Sequence, residues 1–485
     1  MAKIMIKYGL FSLLFFCLAG LPVLAEEEPV ISITGVKVDT SLFDGEQISE
    51  ALDDYVAPLI GGHVKLEFVE LEHYEQVFSK YDVSNRMPDV FFLPSSQFLQ
   101  TYQEHGKLLP LSNLLDTYGQ GILDAVGDEM FQTQTIDGEI YAVPCLHDQA
   151  TCNGFEYRVS IAEKYDLDME NVQTFEDLTA IFQELSEKAP DIIPCSDLAY
   201  CAWDRLTDEL GVLMDYGQTS TVTNLYASDF YRDYCRFVYL WRENGYLLSN
   251  DVGLISGNRY VSSPEIFGKF TGLHPGLIYV DSADAGEQID CIQLTPSFLY
   301  TSDTGIMRSN AFAVSSSCPY PEVAVKFLNL MYTDPNVMNL LTYGIEGKHY
   351  QVIDEENGII DFAEGVTREN SDYAQFRGYF WGNQFLTYVW NGYPSDLWEQ
   401  IQTFNDNAPR SVAFGFQYDP SAVQEEVYEC TQVVNFYKPI LEAGVGNMDE
   451  VLDAFLTALD NAGIDRIIAE KQRQLDEFLA GKEEP

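Results

Sequence analysis

The sequence predicts an α/β protein built from at least two packed lobes that the chain enters more than once. Three observations carry this expectation. Setting aside an N-terminal leader leaves about 460 of the 485 residues, long for one core and natural for two lobes with an appendage. Residues 30 to 93 alternate strand-like and helix-like patterns, as a parallel sheet requires. Two strand-like crossings, at 139–144 and 305–317, bracket a helix-containing stretch, so the lobes are expected to be joined at least twice.

The leader comes first. Lys3 and Lys7 precede an apolar run from Leu10 to Leu21, and Val23-Leu24-Ala25 stands before Glu26. This is the pattern of a secretory signal peptide over 1–25, cut after Ala25. An uncleaved anchor is the competing reading, but the run is shorter than the ~20 residues that span a bilayer. No later stretch reads as membrane-spanning.

Residues 30–38 read as a strand and Asp39 to Gly45 as a turn. Ile48, Ala51, Leu52, Tyr55, Val56 and Leu59 follow helical spacing until Gly61-Gly62 stops it. Val64, Leu66 and Phe68 then alternate as in a half-buried strand. A polar helix-like stretch, 72–81, leads to Val90-Phe91-Phe92-Leu93, an apolar run suited to a buried parallel strand. Asp137-Gly138 makes a turn, and 139–144 is expected to carry the chain out of the first lobe. Thr174 and Asp177 have capping-box spacing before the periodic stretch 178–185. Phe230 to Asn244 reads as a helix stopped by Gly245, and 253–290 as loop-rich. After the second crossing, Pro321-Glu322 opens a helix with Ala324, Phe327, Leu328 and Met331 on one face. Two amphipathic helices, 448–461 and 464–480, close the chain.

The formal net charge is −49, which repels nucleic-acid phosphates and anionic lipid headgroups and excludes nucleic acid as a partner. A solvated surface accounts for it. Of nine cysteines, eight follow the leader; Cys145 with Cys152 and Cys195 with Cys201 are close enough for local disulfides, and free thiols are the alternative. No paired CxxC occurs and the six histidines are scattered, so no metal and no cofactor are expected. Asp166, Asp168 and Glu170 lack the glycine of a calcium loop. His-Glu-x-x-His, Gly-x-Ser-x-Gly and phosphate-loop motifs are absent, and no catalytic residue is assigned. A secreted carbohydrate-active hydrolase stays as the rival reading, although with 76 acidic residues a carboxylate pair is uninformative.

Several segments are together distinctive: Pro88 to Phe92, Gly106-Lys107-Leu108-Leu109-Pro110-Leu111, Gly138 to Pro144, Tyr343-Gly344-Ile345-Glu346-Gly347-Lys348-His349-Tyr350, Gly382-Asn383-Gln384-Phe385, Gly415-Phe416 and Ala469 to Leu475. The chain resembles the family-1 extracellular solute-binding proteins of carbohydrate-type ABC importers, in a lipoprotein-like subgroup with a C-terminal domain of unknown function. The resemblance implies a two-lobed periplasmic-binding-protein-like clamp (type II-like) with a helical C-terminal elaboration. Lobe 1 would be 26–138 with 306–345. Lobe 2 would be 139–305 with 346–485, its subgroup-specific domain starting at about 346. It further implies capture of a small solute, a mono- or oligosaccharide, and delivery to an ABC permease by a monomer outside the cytoplasmic membrane or in the periplasm. Presentation of the closed form to a membrane receptor fits the same sequence. One departure concerns the lipid anchor: Leu18-Ala19-Gly20 is followed by Leu21 where a modifiable cysteine would stand, and Cys17 follows the bulky Phe15-Phe16.

Ligands of parallel α/β lobes meet the loops at the carboxyl ends of strands. That rule points to Asp39, Thr40 and Ser41 and to Ser95 and Ser96, with turn or helix-cap chemistry as the competing reading. Asp197, Tyr200 and Trp203 lie in a segment resembling the family's ligand-facing loop. Rings suit the C–H face of a sugar, and carboxylates its hydroxyls. Trp381 and Asn383 pair an aromatic with an amide, against a core role. His349 is tempting but reads as structural.

Overall fold

The computed structural model describes residues 28–37, 43–196, 198, 200–248, 259–298, 310–368, 370–373 and 378–483. The leader with Cys17, the turn with Asp39, Thr40 and Ser41, Asp197, and residues 305–309 of the second crossing lie outside the described residues.

The first lobe forms around a five-stranded sheet, in the order His63–Glu70, Val30–Lys37, Val90–Leu93, Ala311–Val314, Ala142–Pro144. The first three strands are parallel. Ala311–Val314 returns from the second lobe and runs antiparallel to both neighbours. The helix Gly45–Ile60 links the first two strands and buries Ile48, Leu52, Val56 and Ile60, the spacing of one face. Asp44 caps its start by accepting from the Gln47 N–H, and Gly61 ends it at φ 72°, where a β-carbon would be strained. Ser32 and Asp89 lock the register of the inner strands, the Asp89 carboxylate accepting from the Ser32 N–H and hydroxyl at 2.8 Å each.

One expectation is corrected here. Ala142–Pro144 does not leave the first lobe; it is the edge strand of its sheet, and the crossing starts at Cys145. The returning strand offers a free side, and Pro144, which has no N–H to donate, is suited to an edge.

In the second lobe, Cys152–Arg158 and Ile266–Leu273 are the inner strands of a four-stranded sheet with Ile289–Gln293 and Ile193–Cys195 outside. Phe155 and Phe270 pack on Phe182 and Trp241 of the helices Phe175–Lys188 and Asp229–Glu243. The first of these helices carries the expected capping box of Thr174 and Asp177. The opposite face buries charge: Lys269 lies 3.1 Å from Glu156 and 2.7 Å from Asp281. Burial, opposed by Lys269 and reinforced by Asp281, pushes Glu156 up to about 8. The 253–290 stretch, expected as loop, holds the strand Ile266–Leu273 and the helix Leu277–Ala285. Gly268 and Gly272 hide that strand, and Gly268 is needed because a β-carbon there would fall 2.2 Å from the Phe155 ring.

The chain after 346 serves both lobes. Tyr373, Phe380 and Trp381 complete the first core. Farther on, Phe416, Cys430, Phe455, Ile467 and Leu475 form a third core with Leu206, Val212, Tyr226 and Tyr231. Its helices Met448–Ala462 and Ile464–Glu483 part at Gly463, φ 95°, as the sequence indicated. The Ala469–Leu475 stretch acts as a set of pins. Lys471 is fully buried, donates to Asp208 and to the Gly211 carbonyl, and lies over the Tyr418 ring. Gln472 donates to the Ser220 carbonyl and accepts from the Val222 N–H, while Gln474 brackets Asp419.

Between the lobes, a single side chain binds three backbone groups of the crossing 147–150. The Asn405 amide accepts from the Gln149 and Ala150 N–H groups at 3.0 and 2.9 Å and donates to the His147 carbonyl at 2.7 Å. Asn405→Ala strands three buried backbone groups, so a loss of about 2–4 kcal/mol is expected in urea unfolding. A loss under ~1 kcal/mol would mean that solvent reaches the crossing.

Cys145, Cys152, Cys235, Cys291, Cys318 and Cys430 are free thiols, so the Cys145–Cys152 pairing considered above is not made. No helix among the described residues is long and apolar enough to cross a membrane.

Candidate functional site

Where the crossings enter the second lobe, Thr151 and Phe298 pair as an isolated bridge, and beside them opens a pocket of about 360 Å³. The loop 198–205 forms its aromatic wall. Asn153 fixes that loop by pairing with the backbone of Cys201 through both ends of its amide. Tyr200 stacks on Phe230 with centroids 5.6 Å apart and planes at 19°, and Trp203 meets the same ring edge-on at 5.6 Å. The Phe298 ring lies flat on Tyr216 at 5.3 Å, and Tyr216 hydrogen-bonds Tyr200. Tyr234 is placed by donating to the Leu198 carbonyl.

Across from the rings lies a charged floor. Glu209 takes a hydrogen bond from Tyr226 at 3.1 Å, pairs with Arg205 at 3.3 Å and receives the Lys438 ammonium. Glu442 stands 3.9 Å from Lys438 on the next helical turn. Burial pushes its carboxyl up to about 7, with Lys438 opposing and Glu209 adding to the shift. The site thus joins flat apolar faces to a fixed array of donors and acceptors, the combination that recognises polyhydroxylated molecules. Among the described residues that line it, there is no histidine, serine or cysteine–base pair of the kind used in nucleophilic catalysis.

Of the residues named from sequence, Tyr200 and Trp203 come together in this pocket. Among the described residues, Ser95, Trp381 and Asn383 do not join it. Ser95 follows the strand Val90–Leu93 as helix N-cap without a side-chain cap bond, and Ser96 opens the helix. Trp381 corrects its assignment: it is fully enclosed, stacks on Phe312 at 5.7 Å, and lies where a β-carbon on Gly35 would clash, so its ring belongs to the first core. Asn383 is buried and caps the turn Gln384–Leu386 through its carboxamide. Sequence reasoning missed Asn153, Arg205, Glu209, Tyr234, Lys438 and Glu442. The four-residue spacing of Lys438 and Glu442 was the visible signal, and the same spacing describes an ordinary solvated pair.

Two other features stand apart from this pocket. A larger, shallow depression of about 750 Å³ runs along Lys37, Phe43, Phe68 and Glu70, and among the described residues none of those named from sequence lines it. Asp44, His349 and Asp372 cluster closely enough to hold a metal ion, but the Lys348 ammonium pairs with both aspartates and supplies the cation. His349 Nδ1 accepts from the Ile345 N–H and Nε2 lies 2.9 Å from Asp372, a tether between the 344–350 segment and the first lobe.

Residues 412–480 match the family described as a domain of unknown function, DUF3502. A carbohydrate ABC transporter substrate-binding protein of Streptococcus pneumoniae is 22% identical over 430 residues, covering 87% of this chain and 86% of the relative. The N-glycan transport solute-binding protein NgtS of the same organism superposes with a TM-score of 0.84 at 20% identity, over 94% of this chain and all of that one. Its complexes with Man1GlcNAc and Man5GlcNAc give 0.74 and 0.70. A human-milk-oligosaccharide-binding solute-binding protein of Bifidobacterium longum infantis gives 0.64 at 15% identity, over 94% of this chain and all of that one. The chain is therefore a homologue of a carbohydrate ABC transporter substrate-binding protein, with the two-domain fold of solute-binding proteins and a C-terminal DUF3502 domain.

Proposed function

We propose that this protein is an extracytoplasmic solute-binding protein that captures a mono- or oligosaccharide between its lobes, as a monomer, and delivers it to an ABC permease. The pocket of Tyr200, Trp203, Glu209 and Lys438 beside the crossings carries this reading, because it sets rings and charged groups where a closing lobe can cover them. A ligand drives closure only by binding the closed form better than the open one. The fall in TM-score from 0.84 for the NgtS structure named without a glycan to 0.70 for its Man5GlcNAc complex supports a fold whose lobes rearrange on binding. Export through the leader follows from the same reading.

The test is a thermal-shift panel on residues 26–485 with Man5GlcNAc, kestose, human milk oligosaccharides and monosaccharides, each recovered and analysed. Sugar at ~1,000 times its dissociation constant adds roughly 4 kcal/mol of stability. Trp203→Ala is expected to weaken binding about 30-fold, the effect of losing ~2 kcal/mol of a buried aromatic contact. Silence across the panel overturns the sugar reading. Conversion of the sugar would replace it with a hydrolase in which Glu209 and Glu442 are the carboxyl pair.

A further inference from the structure

We propose that the C-terminal domain of unknown function is part of the ligand site, and that Lys438 and Glu442 of its first helix read the hydroxyl and ring oxygens of a neutral sugar. The inference rests on the reading of the chain as an oligosaccharide-binding protein. It goes beyond it by giving the 412–480 segment a task.

The pocket has two origins. Its rings come from the loop 198–203, from Tyr234 and from Phe298, all within the second lobe. Its floor is shared, with Arg205 and Glu209 from the lobe and Lys438 and Glu442 from the helix Gln424–Glu442. On a free helix, lysine and glutamate four residues apart swing in solvent. Here Lys438 is turned onto Glu209, which also holds Tyr226 and Arg205. Both side chains are about one-third exposed, and both line the pocket. Groups held this way lose little freedom when a ligand arrives, which is what makes a polar contact selective.

The domain also holds the loop it faces. Lys471 binds Asp208 and the Gly211 carbonyl, on either side of Glu209-Leu210. On the other side, Tyr239 of the helix Asp229–Glu243 donates to the Val445 carbonyl at 2.7 Å, just beyond Glu442. The helix end bearing Glu442 is thus fixed from two directions.

The groups around Glu442 define its chemistry. Lys438 lies on its own helix, Arg205 and Glu209 on the facing loop, Tyr231 and Cys235 on the helix Asp229–Glu243, and Tyr226 on the turn before that helix. Against a chain of net charge −49, this floor sets two cations against one ionised carboxylate and one carboxyl that titrates near neutrality. Below that point Glu442 donates to an oxygen; above it, it only accepts and repels Glu209. The wall is therefore rich in donors at neutral pH and matches the acceptor oxygens of an uncharged sugar.

The experiment is isothermal titration of residues 26–485 with Man5GlcNAc and with kestose at pH 6.0 and 8.5, for wild type, K438M, E442Q and W203A. Y428A and F436A serve as controls, since both rings are 63% exposed on the same helix. Wild type is expected to bind several-fold more weakly at pH 8.5 than at 6.0. E442Q should abolish that pH dependence, K438M should lower affinity at least tenfold, and the controls should leave binding unchanged. Loss of binding in W203A with wild-type affinity and pH profile in K438M and E442Q overturns the proposal and leaves the solute-binding reading intact. Failure of wild type to bind either sugar removes that reading and this one together.

Discussion

Replacing Lys471 with alanine is expected to destabilise the protein by about 3–5 kcal/mol, among the largest losses any single charged residue here can produce. The ammonium is wholly enclosed, bonded to Asp208 at 2.5 Å and to the Gly211 carbonyl at 3.1 Å, with the Tyr418 ring 4.9 Å away. Alanine removes the partner of the carboxylate and the carbonyl and leaves a void in the third core. Lys471→Met fills the void and leaves the polar groups unmatched, and Asp208, 30% exposed, can turn toward water; a loss of about 2 kcal/mol is expected. Urea unfolding of the two variants separates void from charge. Equal midpoints for wild type and Lys471→Ala would show that the domain docks without this pin.

Trp381→Ala is the second large effect, about 3–5 kcal/mol from a cavity in the first core. The ring packs flat on Phe312 and edge-on to Phe68, and it closes over Gly35. The corresponding expectation for binding is no change, because Trp381 has no surface to offer a sugar. A variant that folds at wild-type stability and loses sugar affinity would return Trp381 to the ligand.

Folding stability carries a further, ligand-independent mark of Glu442. Its folded carboxyl is raised to about 7 from an unfolded value near 4.5, so unfolding releases its proton between those pH values. The contribution of this group is then full at and below about pH 4.5 and is lost as pH rises toward 7. Because the side chain is one-third exposed, the difference is discounted to roughly 1–2 kcal/mol. E442Q removes that part of the slope in denaturation measured from pH 5 to 8. An unchanged slope would show that water screens the carboxyl inside the pocket.

What the sequence made legible was local. Thr174 with Asp177, Gly61 after its helix, Gly463 between two helices and the Val90–Leu93 run each use neighbours in the chain to set their conformation, and each element stands where it was read. The strand Ile266–Leu273 was illegible because its glycines make room for side chains far away in the chain, Gly268 for the Phe155 ring and Gly272 for the Thr151 hydroxyl. Trp381 and Trp203 look alike as aromatic residues beside polar ones, and only tertiary packing encloses the first wholly in one core and leaves the second, buried in the third core, at the edge of the pocket. Lys438 and Glu442 meet Glu209 from more than two hundred residues away, a contact that no periodicity encodes.

The burial of the free thiols bears on chemistry outside a cell. Attack on a disulfide or oxidant requires a thiolate, and burial pushes Cys152 and Cys430 up to about 11 and Cys235, Cys291 and Cys318 up to about 12, and raises Cys145 as well. Once folded, these sulfurs stay protonated at neutral pH and react slowly with oxidants. Unfolded, the same sulfurs become ordinary reactive thiols. The native state therefore shields itself from cross-linking, and the interval before folding is complete is when these cysteines are vulnerable.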